Sequence, residues 1–444
     1  MAETLTSRVI KATSLLGSTQ VINMLCYIVR TKMLTYWVGT IGVGLMGILT
    51  LTIELFSNFT QLNIRTTAVR DLAVIPPGQR GETIGIVRRV STSLGCIGLI
   101  LMFVLAPLLS RLAFDSVAYA WPFRIASLAL LLQALQGSEH IILQAEGRFG
   151  QIASSGLIAS IAGLLIALPL FLLLKTQGVA PAIVGYALAG WLVAAWFTRG
   201  YRSEARSLSL KQCFIRSRKF IEMGFYTVVA ALIGNLISLG FSTFVQRTSG
   251  DVALSLYMGG NTMLVRYVGV FFTAIGVEFY PRLSAAINRP RYASLLITHQ
   301  ARVSTFLFLP CGITAILLTP WLIRLLYNEE FLAMSPYFIY GMVGMMMRPA
   351  STVLSFGFIA ANKAKAYLIT EILSSLVGFT LNIAGYMIGG WTGLGLATAL
   401  WYLFDILIIY IAARRIASPV YGIRTLLLSF ASTAVMLAIA YLLA

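Results

Sequence analysis

"RVSTSLGCIGLILMFVLAPLLSRLAF", residues 89–114, returns as "RVSTFLFLPCGITAILLTPWLIRLLY", residues 302–327. An offset of 213 pairs Arg89 to Thr92 with Arg302 to Thr305, Pro107 with Pro320, Arg111 with Arg324 and Phe114 with Tyr327. Each copy is an apolar run of the length that crosses hydrocarbon as a helix, about 20 residues. The repetition extends outward in both directions. Near offset 211, Gly39 pairs with Gly250 and Leu45 with Leu256; at 212, Asn23 pairs with Asn235 and Arg70 with Arg282. At 210, "GYALAGW" (Gly185 to Trp191) pairs with "GLATALW" (Gly395 to Trp401).

Apolar runs of this kind fill the chain. Hydrophobic residues make up 58% of it and charged residues 11%, against roughly 25% charged in an average globular chain. In lipid only helices and closed barrels satisfy the backbone, and long runs without strict alternation indicate helices. The spacing predicts spans at 9–30, 41–64, 84–110, 119–145, 150–174, 179–199, 219–246, 252–280, 300–326, 332–360, 365–388 and 391–413, with a thirteenth run at 425–444. Six spans repeat as six, and an even number keeps both copies in one orientation, a parallel repeat about the membrane normal. The expected fold is therefore an all-α polytopic membrane protein with two parallel-repeat six-helix lobes around a central cavity. The N-lobe is expected over 1–205, the C-lobe over 206–416 and an extra C-terminal segment over 417–444, with the lobe boundary in the basic linker 200–218.

The formal charge is +18, which on a soluble chain would suggest nucleic acid. Its distribution gives another reason. With the N-terminus inside, 24 of the 33 Lys and Arg fall on inner loops, seven on outer ends and two, Arg266 and Arg348, within spans. That is the positive-inside bias of a multi-pass protein with a cytoplasmic N-terminus. Aromatic interleaving and nucleic-acid motifs are absent from the loops, so nucleic acid is not an expected partner. "MAETLTSRVIK" reads as a short retained tail rather than a cleaved signal, since further spans follow the first at once.

"TIGVGLMGI", Thr40 to Ile48, contains a literal G-x-G-x-x-G. That pattern carries chemistry only between a strand and a helix, with an acidic residue about 20 residues on. Here it lies in the turn between spans one and two, and its repeat partner "GDVALSLY" (Gly250 to Tyr257) lacks the inner glycines. The glycines read as a helix–turn–helix connector. There is no Walker motif, which argues against an ATP-driven pump within the chain. Cys26, Cys96, Cys213 and Cys311 have no C-x-x-C spacing and read as packing residues. His140 and His299 have no metal-ligand spacing, and no nucleophile motif or paired-carboxylate motif stands out. The expectation is a protein that is not an enzyme, with no metal and no cofactor.

Ionisable residues inside spans are functional candidates by default. Arg266 and Arg348 lie midway along their spans; Arg30 and Arg65 lie near span ends, where snorkelling is open to them. Glu54, Glu139, Glu371 and Asp405 read as the buried acids. Either one of them exchanges protons during a transport cycle or they neutralise the arginines and build structure; Glu371 and Asp405 have the further option of pairing within the C-lobe. His140 stands beside Glu139 as a proton relay or as a hydrogen-bonded interior histidine. Asn23 and Asn235, paired by the repeat, either bond between helices or touch substrate.

Three stretches carry a family resemblance. "YMGGNTMLVRYVGVFFTAIGVEFYPRLSAA" (Tyr257 to Ala286) resembles the eighth-span signature of Wzx-type flippases for lipid-linked oligosaccharides. "MMMRPASTVLSFGFIAANKAKAYLITEI" (Met345 to Ile372) and "GLGLATALWYLFDILII" (Gly393 to Ile409) resemble later signatures of that family. The family sits in the multidrug/oligosaccharidyl-lipid/polysaccharide flippase superfamily, and the resemblance covers nearly the whole chain. Within it the O-antigen and enterobacterial common antigen translocases are similar. Gly259-Gly260 departs from the Gln-Gly common there, and Arg348 has a more methionine-rich context.

The resemblance implies a flippase of the bacterial inner membrane that moves an undecaprenyl-pyrophosphate-linked oligosaccharide from the cytoplasmic to the outer leaflet by alternating access. A pyrophosphate needs fixed cations, and arginine donates to it bidentately while keeping its charge. Arg266, Arg348, Arg30 and Arg65 are then the expected headgroup contacts, with Asn23 and Asn235 beside them. Glu54, Glu139, Glu371 and Asp405 are the expected coupling or charge-pairing groups, for H+ or Na+. Expected partners are the lipid-linked glycan, the bilayer and other membrane proteins of polysaccharide assembly. A multidrug/cation antiporter of the same superfamily is the alternative, with a membrane-embedded glycan polymerase or ligase behind it; short outer loops argue against the last.

Overall fold

The computed structural model describes residues 22–61, 72, 80–201, 210–361, 363–415 and 419–443, and among them every regular element is a helix. Arg65 and the start of the expected first span lie outside the described residues. The chain forms two compact units, Met1–Ser255 and Leu256–Ala444. The division falls within a helix.

In the first unit, α1 covers residues 22–37. It is followed by α2 (Thr40–Gln61), α3 (Gly81–Phe114), α4 (Ala120–Ala145), α5 (Phe149–Leu174), α6 (Val179–Thr198) and α7 (Leu210–Asn261), which runs into the second unit. α3 packs along α4, α5 along α6, and α4 along α6. In the second unit a π-helical turn, Thr262–Tyr267, leads to α8 (Gly269–Ala286), α9 (Pro290–Leu317), α10 (Thr319–Leu326), α11 (Ser335–Met345), α12 (Arg348–Ala360), α13 (Ala364–Arg415) and α14 (Ile423–Leu443). α11 lies chiefly on α13, and α14 packs on α9 and α11.

Among the described residues, seven helical stretches are long and apolar enough to cross a membrane, or eight counting a bent pair. Two of them are hairpins. Gly150–Thr198 contains α5, the 3-10 turn Lys175–Gly178 and α6. Lys365–Arg415 lies within α13, which breaks at Gly389 and Gly390. The chain is thus a multi-pass membrane protein, and the run 423–443 forms one of the span-length helices.

The glycine question resolves at the turn itself. Gly39 (φ 88°) and Gly250 (φ 82°), paired by the repeat, are both left-handed, a conformation glycine adopts without steric cost. Gly42, Gly44 and Gly47 lie inside α2 with no strand before them. A Cβ on Gly44 would collide with Ser255 Oγ, so its bare backbone lets α2 lie against α7.

Proline decides two further breaks. The expected single span 332–360 is two helices, because Pro349 enters at the start of α12. Its ring removes an amide and crowds the carbonyl four residues back. Glu329–Met345 and Arg348–Ala360 meet at 52°. Pro320 likewise separates α9 from α10, whereas its repeat partner Pro107 lies within an unbroken α3.

The two hairpin turns share one backbone geometry. Lys175 has φ 51° and ψ −128°; Gly390 has φ 55° and ψ −131°. That region is close to glycine-only and costs other residues about 1–3 kcal/mol. Gly390→Lys is therefore expected to lower the thermal midpoint of the purified protein, and Lys175→Gly to hold or raise it. A clear loss with Lys175→Gly would show that the lysine side chain, not the backbone, governs the first turn.

Candidate functional site

The second unit concentrates charge at one place. Tyr367, Glu371 and Ser374 stand at helical spacing on the first arm of α13, and Trp401, Tyr402 and Asp405 on the second arm. Residues three and four apart share a helix face. Ser374 Oγ donates to Asp405 Oδ1 at 2.6 Å, and Trp401 Nε1 donates to Ser374 Oγ at 3.1 Å. Asp405 is buried and Glu371 half-buried.

Arg348 joins them from the first residue of α12. Glu371, Asp405, Tyr367 and Tyr402 all lie close enough to couple electrostatically to its guanidinium. That group lies over two rings, 5.7 Å from the centroid of Phe272 and 5.4 Å from that of Tyr402. Among the described residues no carboxylate lies within ion-pair distance of Arg348, and its buried Nε has no hydrogen-bond partner. A guanidinium held this way carries unused donors in a low-dielectric setting. With both acids ionised the three groups sum to one negative charge; with one acid protonated they are neutral.

In the first unit Arg30 repeats part of this pattern. It lies 4.9 Å from the centroid of Tyr27 and 5.4 Å from that of Tyr186, and its buried Nε also has no partner. Asn23, two turns earlier on α1, has a buried Oδ1 with no partner, and its amide nitrogen lies near Gly156.

The other acids behave differently. Glu139 is buried and fully engaged. Arg88 Nε donates to Oε1 at 2.9 Å, Arg88 NH2 to Oε2 at 2.7 Å, and Thr198 Oγ1 to Oε2 at 2.6 Å. Arg88 NH1 also donates to the Tyr201 carbonyl at 3.1 Å. This joins α3, α4 and α6 and fixes the chain leaving α6. Of the two roles open to Glu139, charge pairing is the one its partners serve. His140 contacts Ser155 Oγ at 3.1 Å. Glu54 is exposed on α2.

Arg266 is exposed and lies in the π-helical turn, where Val268 N donates to Met263 O, five residues back, at 3.3 Å. π turns recur at functional sites. Asn235 is half-buried in α7. The structure thus brings together Arg348, Glu371 and Asp405, and leaves Arg30 and Asn23 two turns apart on α1, each with a buried polar atom that has no partner. Sequence reading missed Arg88, placed among loop cations, and the aromatic pair around Arg348. A buried Glu139 that needs a cation, with Arg88 just inside the next-door span, was the available signal. For Phe272 and Tyr402 no sequence signal distinguishes them from packing aromatics.

A family of proteins described as polysaccharide biosynthesis protein matches residues 42–336 of the chain. No curated protein sequence matches it. Among solved structures it resembles the lipid II flippase MurJ in an inward closed conformation, at 14% identity and TM-score 0.72, covering 96% of this chain and 92% of that one. It also resembles an inward-facing multidrug resistance MATE family transporter of the MOP superfamily, at 12% identity and TM-score 0.68, covering 91% and 94%. The MATE multidrug transporter DinF-BH matches at 17% identity and TM-score 0.67, covering 93% and 96%. The chain has the fold of these transporters.

Proposed function

Because the chain belongs to the polysaccharide biosynthesis protein family, we propose that it is a flippase for an undecaprenyl-pyrophosphate-linked oligosaccharide. It carries this substrate from the cytoplasmic to the outer leaflet of the bacterial inner membrane by alternating access between two six-span lobes. Its N-terminus is cytoplasmic, and it works beside other membrane proteins of polysaccharide assembly. The observation that carries this reading is Arg348, a guanidinium inside a membrane-spanning unit, shelved on Phe272 and Tyr402, with donors left unpaired. A charged group at such depth costs about 2.5–3.5 kcal/mol even on the gentler insertion scale, and an anionic headgroup offsets that cost.

Arg266, Arg30 and Arg65 supply further cationic contacts along the path, with Asn23 and Asn235 as glycan or headgroup donors. Glu371 and Asp405 set the charge against which Arg348 works. A cation taken up there, H+ or Na+, removes negative charge beside the guanidinium and leaves more of its field for phosphate. Proton uptake and anion binding at this site are then positively linked. The fold is shared with MATE multidrug transporters, and two acids in one cluster also suit a cationic cargo, which keeps a drug/cation antiporter as the second reading.

Reconstitution decides between them. The protein is placed in liposomes with defined pyrophosphate-linked glycans, and headgroup access is read on each leaflet. Flipping of the glycan lipid, with no uptake of a cationic dye, is the expected result. Dye exchange without flipping establishes the antiporter. Collapsing both proton and sodium gradients is expected to change the flipping rate; an unchanged rate leaves facilitated flipping without coupling.

A further inference from the structure

The start of α9 forms one wall of a groove of about 560 Å³, and the chain just before α14 forms the other. Arg291, Ser294 and Thr298 line its polar side; Pro290, Leu295 and Val420 line its apolar side. The second wall is tied to the first where Arg302 Nε donates to Thr425 Oγ1 at 3.1 Å. We infer that this groove holds the phosphate headgroup of an anionic membrane phospholipid.

Charge is the first argument. Residues 279–328 and 406–444 supply both walls and contain no Asp or Glu. The same segments bring Arg289 and Arg291 to the start of α9, Arg414 and Arg415 to the end of α13, and Arg424 to the start of α14, all exposed. Arg291 is the charged side chain that lines the groove, and these two segments bring only positive side-chain charge to it. Juxtamembrane basic clusters and basic pockets between spanning helices attract anionic lipid.

Position is the second argument. α9 begins with Pro290 and has no side-chain cap at Arg289, so its positive end faces the groove mouth without a competing side-chain acceptor. Tyr292 and Leu295, on the first turns, are 53% and 66% exposed. A large exposed apolar residue beside an exposed tyrosine is the pattern of a membrane interface. Free phosphate uses the cations but leaves Leu295 and Val420 uncovered; the glycerol and first methylenes of a phospholipid cover both. Arg291 donates to the phosphate oxygens, and Ser294 lies on the same face of the helix three residues on.

The test uses the full chain, stripped of lipid in neutral detergent and titrated with phosphatidylglycerol or phosphatidylcholine under native mass spectrometry. Phosphatidylglycerol is expected to bind at least tenfold tighter than phosphatidylcholine. Arg291→Gln, which removes the cation, and Val420→Trp, which fills the groove, are each expected to weaken it at least fivefold. Arg291→Lys is expected to keep most of the affinity. Thermal midpoints measured without lipid separate loss of the site from loss of the fold. Equal binding of the two lipids, or unchanged affinity in both folded variants, overturns the inference. So does displacement of phosphatidylglycerol by an equal concentration of inorganic phosphate or of undecaprenyl pyrophosphate.

Discussion

Arg348→Ala is expected to stop glycan-lipid export while the protein still inserts and folds. The guanidinium is held by two rings and not by a carboxylate in contact, so its removal breaks no ion pair among the described residues. Hydrogen bonds to a charged group contribute about 1.5–3 kcal/mol each, so losing the Arg348 contact lowers flipping by roughly tenfold to a hundredfold or more. Arg348→Lys keeps charge and loses the fork, and is expected to recover part of the rate. Glu371→Gln should strengthen headgroup binding and flatten its pH dependence, because the proton that relieves Arg348 is then built in. The measurement is liposome flipping normalised to folded protein. If Arg348→Ala instead unfolds the chain, and Glu371→Gln with Asp405→Asn restores both fold and transport, the arginine balances charge and binds nothing.

The second large effect is on stability. Arg88→Ala leaves the Glu139 carboxylate buried, with 8% of its side chain exposed, and only Thr198 to bond it. Breaking a buried pair from one side costs about 3–5 kcal/mol. A loss of that size is comparable with the whole stability of many domains, so the yield of monodisperse protein should collapse. Glu139→Gln, which removes the charge rather than its partner, should be much milder. Replacing both, as Arg88→Met with Glu139→Leu, should recover most of the yield. Yield and thermal midpoint in detergent report these differences. A stable Arg88→Ala protein that fails to transport would move the pair from structure to the cycle.

The helical class, the hairpin turns at Gly39 and Gly250, and the C-terminal span-length helix were legible because hydrophobic run length and repeat pairing report on backbone needs directly. The break at Pro349 was visible but unused; the apolar run across it reads as one helix, and periodicity is insensitive to a bend. The charged cluster was half legible. Arg348, Glu371 and Asp405 stood out as in-span charges, since lipid makes each one costly wherever it sits. Their convergence was not legible, because it depends on how α12 leaves the bend and how the two arms of α13 fold together. Arg88 was misplaced for the opposite reason. A cation near a span end satisfies the topology rule whether or not it turns inward, and only Glu139 across the helix pair distinguishes the cases.

The π turn records something about the chain's history. Just before it, the copies pair at offset 211, through Leu45 and Leu256; after it they return to 212, through Arg70 and Arg282, the offset that also pairs Asn23 with Asn235. A five-residue hydrogen-bond step, as between Val268 and Met263, accommodates one extra residue per turn. The turn at Thr262–Tyr267 thus reads as a one-residue insertion in the second copy, absorbed as a bulge instead of displacing the helices on either side. Arg266 sits on that bulge, and counting back by 211 or 212 lands on Leu55 or Glu54. At this change of register, a cation in one copy stands against leucine or an acid in the other.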